Sequence, residues 1–226
     1  MRVARASQPE VCSRLSCTCC AQAASGRALP KARFGSASAV HKRFLEWEKA
    51  GFFESLWKAG LAEYDQMEGI AWRWRSIDGA TFKAPMAQES VGPNPTDRGK
   101  NGSKRHLLVD GRGVPLSIIV TGANVHDSKR LEQLLSEIVV KRPLPTQRRS
   151  KHLCADAGYR GAALLRTIER HGYIPHVVDR RQEAKAKRRN PAKKAWRWVV
   201  EACHSCSIAS ASCWCGMKSL TEASWR

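Results

Sequence analysis

Apolar residues between positions 38 and 67 recur at the spacing of α-helices. They are Val40, Phe44, Trp47, Phe52, Phe53, Leu56, Trp57 and Leu61. Because residues three and four positions apart lie on one face of a helix, this spacing predicts amphipathic helices. Gly51 interrupts the pattern. We therefore expect a small helical N-terminal region over residues 34–69, made of two short helices.

Further along the chain, the hydrophobic pattern changes to that of β-strands. Residues 72–78 alternate apolar and polar side chains, which predicts a half-buried strand ending at Asp78, before Gly79. Two β-rich runs, 106–110 and 114–121, flank a glycine-containing turn and predict a hairpin. A short apolar run over 151–156 predicts a buried strand that again ends in an acid, and 173–178 predicts a last strand.

Helical spacing returns between and after these strands. Residues 128–140 carry a leucine stripe, with Asp127 placed to cap the helix, and residues 162–171 form a second helix ended by Gly172. Asn190 and Pro191 mark the start of a last helix. The resulting order, β-ββ-α-β-α-β, predicts a mixed α/β sheet with flanking helices over residues 70–205.

The last helix presents two different faces. Trp196, Val199, Val200 and Cys203 form an apolar stripe that predicts burial. Lys194, Arg197, Trp198 and Glu201 fall on another face at helical spacing. We therefore expect the Glu201 side chain to point away from the core, in the same direction as Arg197.

The charge of the chain indicates a polyanionic partner. Lys and Arg number 39 against 20 Asp and Glu, a net charge of +19, and a nucleic-acid backbone favours such a surface through counterion release. Basic residues concentrate in a predicted loop over 93–105 and in the run 179–194. We expect DNA contacts from Arg98, Lys100, Lys104, Arg105, Lys187, Arg188, Arg189, Lys194 and Arg197.

Two features bear on localisation. The sequence lacks any run of about 18 apolar residues, which argues against a membrane span. Its start, Met-Arg-Val-Ala-Arg, lacks the apolar region of a signal peptide. We therefore expect a cytoplasmic protein that does not act at a membrane.

Strand-end acids such as Asp78 and Asp156, joined by a helical Glu201, suit one particular chemistry. Breaking a phosphodiester requires neutralising charge on the attacking and leaving oxygens, which two Mg²⁺ ions about 3.5–4 Å apart can do. Mg²⁺ prefers oxygen ligands and keeps several waters, so a few carboxylates suffice. Each acid also has a simpler interpretation, as a turn residue for Asp78 and Asp156 and as a solvated helix residue for Glu201.

The motifs together resemble a known family. Asp78-Gly79, Asp156-Ala-Gly-Tyr159 and Arg197-Trp-Val-Val-Glu201 are similar to the three acidic motifs of DDE transposases of the insertion sequence five family. The hairpin 104–116 and the segment 122–127 resemble that family too. The resemblance as a whole extends over about residues 34–205. The resemblance implies a ribonuclease-H-like fold and Mg²⁺-dependent DNA cleavage and strand transfer, with two ions on Asp78, Asp156 and Glu201.

Three other polar residues have structural interpretations that we favour. His126 and Asp127 lie where they could reach the acidic site, although a helix cap explains them as well. Asp110 is better explained as a residue of the hairpin than as a metal ligand.

The cysteines are concentrated at the two ends of the chain. Eight of the nine lie before residue 25 or after residue 200, and the pairs Cys203/Cys206 and Cys213/Cys215, with His204 nearby, are compatible with zinc. However, the segment 206–219 can be back-translated into codons that, read out of frame, encode a basic amphipathic helix resembling the family's continuation. The codons behind residues 17–25 can likewise be read in an offset frame as sequence that resembles the family. We therefore interpret 1–33 as a poorly ordered, out-of-frame segment and 206–226 as an out-of-frame tail.

These observations predict a transposase that acts as a homo-oligomer on double-stranded DNA, both at the ends of the element and at the target. If the third carboxylate, Glu201, is misplaced, we expect its activity to be reduced. Two alternatives remain open. One is a non-catalytic DNA-binding transposase fragment, and the other is a zinc-binding module whose cysteines are genuine ligands.

Overall fold

The computed structural model describes residues 30–83, 90–141, 143, 150–177, 188 and 198–209. Its N-terminal part is helical, with α1 at Lys31–Phe34, α2 at Ala37–Lys49 and α3 at Phe52–Met67. The Ser36 hydroxyl caps α2 by accepting a hydrogen bond from the Ala39 amide. Gly51, at φ 66°, turns the chain between α2 and α3. The predicted pair of helices is confirmed.

A mixed sheet follows the helices. Its strands are β1 at Trp74–Lys83, β2 at Gly92–Pro93, β3 at Asn101–Asp110, β4 at Pro115–Gly122, β5 at His152–Ala155 and β6 at Ile174–Val177. Strand β3 pairs antiparallel with β1, β4 and the short β2, while β1 pairs parallel with β5, and β5 with β6. The mixed α/β class and the β3–β4 hairpin are therefore confirmed.

Helices cover both faces of this sheet because alternate strand residues point in opposite directions. One face packs against α4 at Leu131–Ser136 and α5 at Ala162–Arg170, burying Ile77, Leu108 and Leu153. The other face packs Leu107 and Val109 against α6 at Trp198–Ala209. A third cluster joins Trp57 and Leu61 of α3 to Leu116. In the described part of the chain, no helix has the length and apolar composition needed to cross a membrane.

Three boundaries differ from those predicted. Strand β1 continues through Asp78 to Lys83 because its main chain stays paired with β3 along that stretch, so Asp78 lies within a strand and not at its end. Strand β3 begins at Asn101, so only residues up to 100 belong to the predicted basic loop. Helix α4 ends at Ser136, and the chain beyond it joins the sheet, where the Val139 amide donates to the Leu116 carbonyl.

The predicted cap of that helix was also wrong by one residue. A 3-10 helix at Asp127–Arg130 precedes α4, and its N-cap is His126, whose ring accepts a hydrogen bond from the Ser128 amide. Asp127 does not cap the helix because its carboxylate contacts Lys104 and His106 on β3 instead.

Candidate active site

Asp78 and Asp156 lie at the same level of the sheet. Parallel pairing of β1 with β5 runs through Ser76 and Cys154. Asp78 lies two residues further along β1, and Asp156 lies two residues after Cys154, directly after the end of β5. The Asp78 side chain is 26% exposed, and Asp156 is also partly exposed. The structure therefore places both predicted acids on neighbouring strands where their carboxylates are accessible.

Asp156 has a structural role as well. Its Oδ1 accepts a hydrogen bond from the Ala157 amide at 2.6 Å and so caps the 3-10 helix Ala157–Tyr159. This cap occupies one oxygen of the carboxylate and fixes its orientation at the end of β5. The turn interpretation and the ligand interpretation of Asp156 are thus compatible.

Helix α6 brings a histidine against Asp78. His204 Nε2 lies 4.0 Å from Asp78 Oδ2, and His204 Nδ1 lies 3.2 Å from Arg105 Nη2. Burial lowers the pKa of His204 to about 4, with the positive charge of Arg105 acting in the same direction. Because Arg105 can only donate, Nδ1 is the acceptor and the neutral ring carries its proton on Nε2, towards Asp78.

Sequence reasoning did not select His204, although it lies three residues after Glu201 on the predicted helix. Its burial leads to a prediction about pH. The folded protein holds the ring neutral to about pH 4, whereas an unfolded histidine protonates near 6.5. The unfolded state therefore binds more protons between these values, and the free energy of unfolding should fall by about 2–3 kcal/mol from pH 7 to pH 4.

Denaturant titrations at several pH values, in EDTA, measure this dependence. Burial also lowers the pKa of His152 and of His176, so both contribute in the same direction. His204→Gln isolates the contribution of His204, because glutamine does not titrate and can still accept from Arg105. Its stability curve should be flatter than that of the wild type, and parallel curves would contradict the assignment.

Asp127 belongs to a partly buried cluster beside the two acids. Its Oδ1 lies 3.3 Å from Lys104 Nζ and 3.3 Å from His106 Nδ1. Lys104 also donates to the Val125 carbonyl at 3.0 Å. Burial alone raises the pKa of Asp127, but the contact with His106 and the charge of Lys104 outweigh it and lower that pKa below its ordinary value. Asp127 is therefore ionised at neutral pH.

Tyr159 is buried within electrostatic range of the three aspartates. Its side chain is 1% exposed and packs in the main core with Ile77 and Leu131. Burial, together with the negative charges of Asp127, Asp78 and Asp156, raises the pKa of Tyr159 well above its ordinary value. The hydroxyl therefore keeps its proton at neutral pH.

Glu201 is placed differently from the two aspartates. It lies exposed on α6, one turn before His204. Among the described residues, no group of three His, Cys, Asp or Glu side chains is close enough to hold a metal ion. The structure thus brings Asp78 and Asp156 to one level of the sheet but does not gather Glu201 with them.

The predicted DNA-binding residues divide into three groups. Arg98 and Lys100 are exposed in the loop before β3, and Arg188 is exposed as well. Lys104 and Arg105 face inwards, towards Asp127 and His204 respectively, because they belong to strand β3 and not to a loop. The remaining candidates, Lys187, Arg189, Lys194 and Arg197, lie outside the described residues.

The described cysteine side chains pack with apolar neighbours. Cys154 is buried in β5, and Cys203 packs against the cluster formed by Leu107, Val109 and α6. Neither of these two cysteines forms a disulfide. The side chains of Cys206, Cys213 and Cys215 lie outside the described part, so the zinc alternative finds no support among the cysteines that the structure describes.

Comparison with known proteins agrees with the motifs in the chain. The profile of the family described as "Transposase DDE domain" matches residues 73–205. The putative transposase for insertion sequence element IS402 of Burkholderia cepacia is 39% identical over 118 residues, which cover 51% of this chain and 53% of that protein. The chain therefore matches about half the length of this curated relative.

Solved structures are similar only at low identity. The catalytic domain of Mos1 mariner transposase is 11% identical, with 74% of this chain and 92% of that chain covered and a TM-score of 0.33. The Mos1 mariner paired end complex with Mn is 12% identical, with 96% and 80% covered and a TM-score of 0.33. The family match, which covers more than half of the sequence, is decisive, and the chain belongs to the DDE transposase domain family.

Proposed function

We propose that this chain is the transposase of a bacterial insertion sequence, which cleaves DNA at the ends of the element and joins those ends to target DNA. The observation that carries the proposal is the position of Asp78 and Asp156 at one level of two neighbouring parallel strands. Both lie within the residues matched by the transposase family. Partly exposed carboxylates at this place suit a reaction on a phosphodiester that approaches from solvent.

The two aspartates fit a divalent ion of the Mg²⁺ type. Such an ion is commonly bound by one or two carboxylates, with waters and substrate phosphates completing its coordination. Asp78 and Asp156 would hold it, and Glu201 is the proposed third ligand and the contact for a second ion. When bound, the ions activate the attacking oxygen and stabilise the leaving oxygen. The protein's own contribution is to orient the carboxylates, through the Ala157 amide at Asp156 and through β1 at Asp78.

The proposed partner is double-stranded DNA, bound by a homo-oligomer. Arg98 and Lys100 project from a loop that Asn94 organises, since its side chain accepts hydrogen bonds from the Thr96 amide and hydroxyl. The Asn94 main chain also bonds with Lys100 and Gly99. A loop held this way presents its two cations in a fixed geometry, which lowers the entropy cost of contacting phosphates.

A second candidate function is favoured by the position of Glu201. Glu201 is exposed, and the described residues form no group of three metal-ligating side chains that would include it. This arrangement suits a non-catalytic DNA-binding fragment of a transposase. The proposed out-of-frame tail begins at residue 206, and the family match ends at residue 205. Residues that anchor the end of the glutamate helix in relatives would then be replaced here, and catalysis depends on exact positioning.

Incubation of the purified chain with supercoiled plasmid, in Mg²⁺, Mn²⁺ or EDTA, distinguishes the two functions. A transposase should produce nicked circles with either ion and none in EDTA, while DNA retardation in a gel should persist in EDTA. Retardation without nicking in both ions would establish the DNA-binding fragment. Stoichiometric zinc in the purified protein would instead support the cysteine-based alternative.

A further inference from the structure

We propose that Asp127 is a positioning residue for the metal-binding pair: its carboxylate holds the backbone of β1 beside Asp78 and, through its own loop, the turn after Asp156. This inference rests on the proposed function, since it concerns the same carboxylates. Asp127 was predicted to be a helix cap, and the structure gives its side chain a different position.

The first contact is with β1. Gly79 follows Asp78, and its cross-strand partner on β3 is His106. A Cβ atom at Gly79 would collide with the Asp127 carboxylate, with 2.9 Å to Cγ and a still closer approach to Oδ1. The carboxylate of Asp127 therefore packs directly on the strand backbone, one residue after the proposed ligand. A side chain at position 79 would force the Asp127 carboxylate away from this position.

The second contact is with the turn after Asp156. The 3-10 helix that begins at Asp127 packs against the 3-10 helix Ala157–Tyr159. His126 Cε1 would lie 3.9 Å from a Cβ atom at Gly158. The chain segment 126–127 thus lies beside both Gly79 and Gly158, each of which lies within two residues of a proposed metal ligand.

The third observation is that Asp127 is held in place from β3. Lys104 and His106 lie on one face of that strand, and both reach Asp127 Oδ1. Lys104 is 14% exposed and also fastens the loop through the Val125 carbonyl. Lys104 compensates the negative charge of Asp127. The contribution of Asp127 is therefore to hold the neighbouring backbone in place and not to add negative charge to the site.

Mn²⁺ affinity in the absence of DNA tests this role, measured from the electron paramagnetic resonance of free Mn²⁺ on folded protein. Asp127→Ala should weaken Mn²⁺ binding by about 10-fold or more, the range for residues that support metal ligands. Asp127→Asn keeps the volume over Gly79 and one oxygen for Lys104, so its affinity should lie between those of the wild type and the alanine variant. Melting curves show which variants are folded at the temperature used.

Asp97→Ala is the matched control. The Asp97 side chain is 28% exposed, as is that of Asp127, and it also lies near a lysine, Lys83, at 3.7 Å. It belongs to the loop before β3, so this variant should bind Mn²⁺ as the wild type does. Equal losses from Asp97→Ala and Asp127→Ala would overturn the inference, because they would indicate a general charge effect.

Asp78→Asn separates this inference from the proposed function. If Asp78→Asn binds Mn²⁺ like the wild type, the proposed metal site itself is wrong. If Asp78→Asn loses binding and both Asp127 variants retain it, only the positioning role is wrong. A loss in Asp127→Asn as large as that in Asp78→Asn would also overturn it, since Asp127 would then be a ligand.

Discussion

Asp156→Asn is expected to reduce divalent-ion-dependent nicking by at least about 1000-fold, equivalent to about 4 kcal/mol in the activation barrier. The substitution keeps the shape of the side chain but removes the negative charge that binds the ion. Its amide oxygen can still accept the hydrogen bond that Asp156 Oδ1 receives from the Ala157 amide. The cap of the 3-10 helix therefore survives, and the variant separates chemistry from folding better than alanine would.

Initial rates of plasmid nicking in Mg²⁺ and Mn²⁺ measure this effect. Two controls accompany the variant: its melting temperature should stay close to that of the wild type, and its DNA retardation should be unchanged. Glu132→Gln, a neutral replacement of an exposed carboxylate on α4, should nick as the wild type does. Persistent nicking by Asp156→Asn at the wild-type rate would mean that this carboxylate is not part of the catalytic site.

Local sequence pattern predicted most of the elements of this fold. The two helices α2 and α3, the hairpin β3–β4 and helix α5 all follow from periodicity and from glycine at turns, because these signals lie within a few residues of the element itself. Asp78 and Asp156 could be identified for the same reason, since each is an acid that follows a predicted strand and is followed closely by glycine. The two acids lie at one level of the sheet because β1 and β5 are adjacent and parallel.

The features that the sequence did not predict depend on contacts between distant segments. Strand β1 continues past Gly79 because β3 offers it a partner, and no local signal reports that partner. Asp127 satisfies every local rule for a helix cap, yet its carboxylate is taken by Lys104, more than twenty positions earlier in the chain. Lys104 and Arg105 were predicted to contact DNA, but sheet pairing draws them into strand β3.

The buried contact of His204 with Arg105 was missed for a related reason. The two residues are 99 positions apart, so neither indicates the other in the sequence. Glu201 was selected from a helical face that also carries Arg197. Exposure of Glu201 on α6 is compatible with that face, whereas His204, one turn later, turns towards Asp78. Helical periodicity thus identified the polar face of the helix, but it did not show which residue on that face lies against Asp78.

Asp110→Ala is expected to have the largest effect on stability, lowering the free energy of unfolding by about 3–5 kcal/mol, because it removes a buried acceptor from three backbone amides at once. Asp110 is fully buried at the end of β3. Its Oδ1 accepts from the Arg112 and Val114 amides, each at 2.9 Å, and organises the hairpin turn. Its Oδ2 accepts from the Ala71 amide at 3.0 Å.

The last of these bonds makes Asp110 more than a turn residue, because it connects the hairpin to the segment that leads from α3 into β1. Alanine would leave three backbone amides without this acceptor, at about 1–3 kcal/mol for each one that stays buried. Asp110→Asn keeps Oδ1 for the turn but places an NH₂ group against the Ala71 amide, so its loss should be intermediate. Urea unfolding monitored by tryptophan fluorescence measures both variants, and Asp97→Ala should cost less than about 1 kcal/mol. Suppose that Asp110→Ala lowered the free energy of unfolding no more than Asp97→Ala does. The Asp110 carboxylate would then not be what joins the helical region to the sheet.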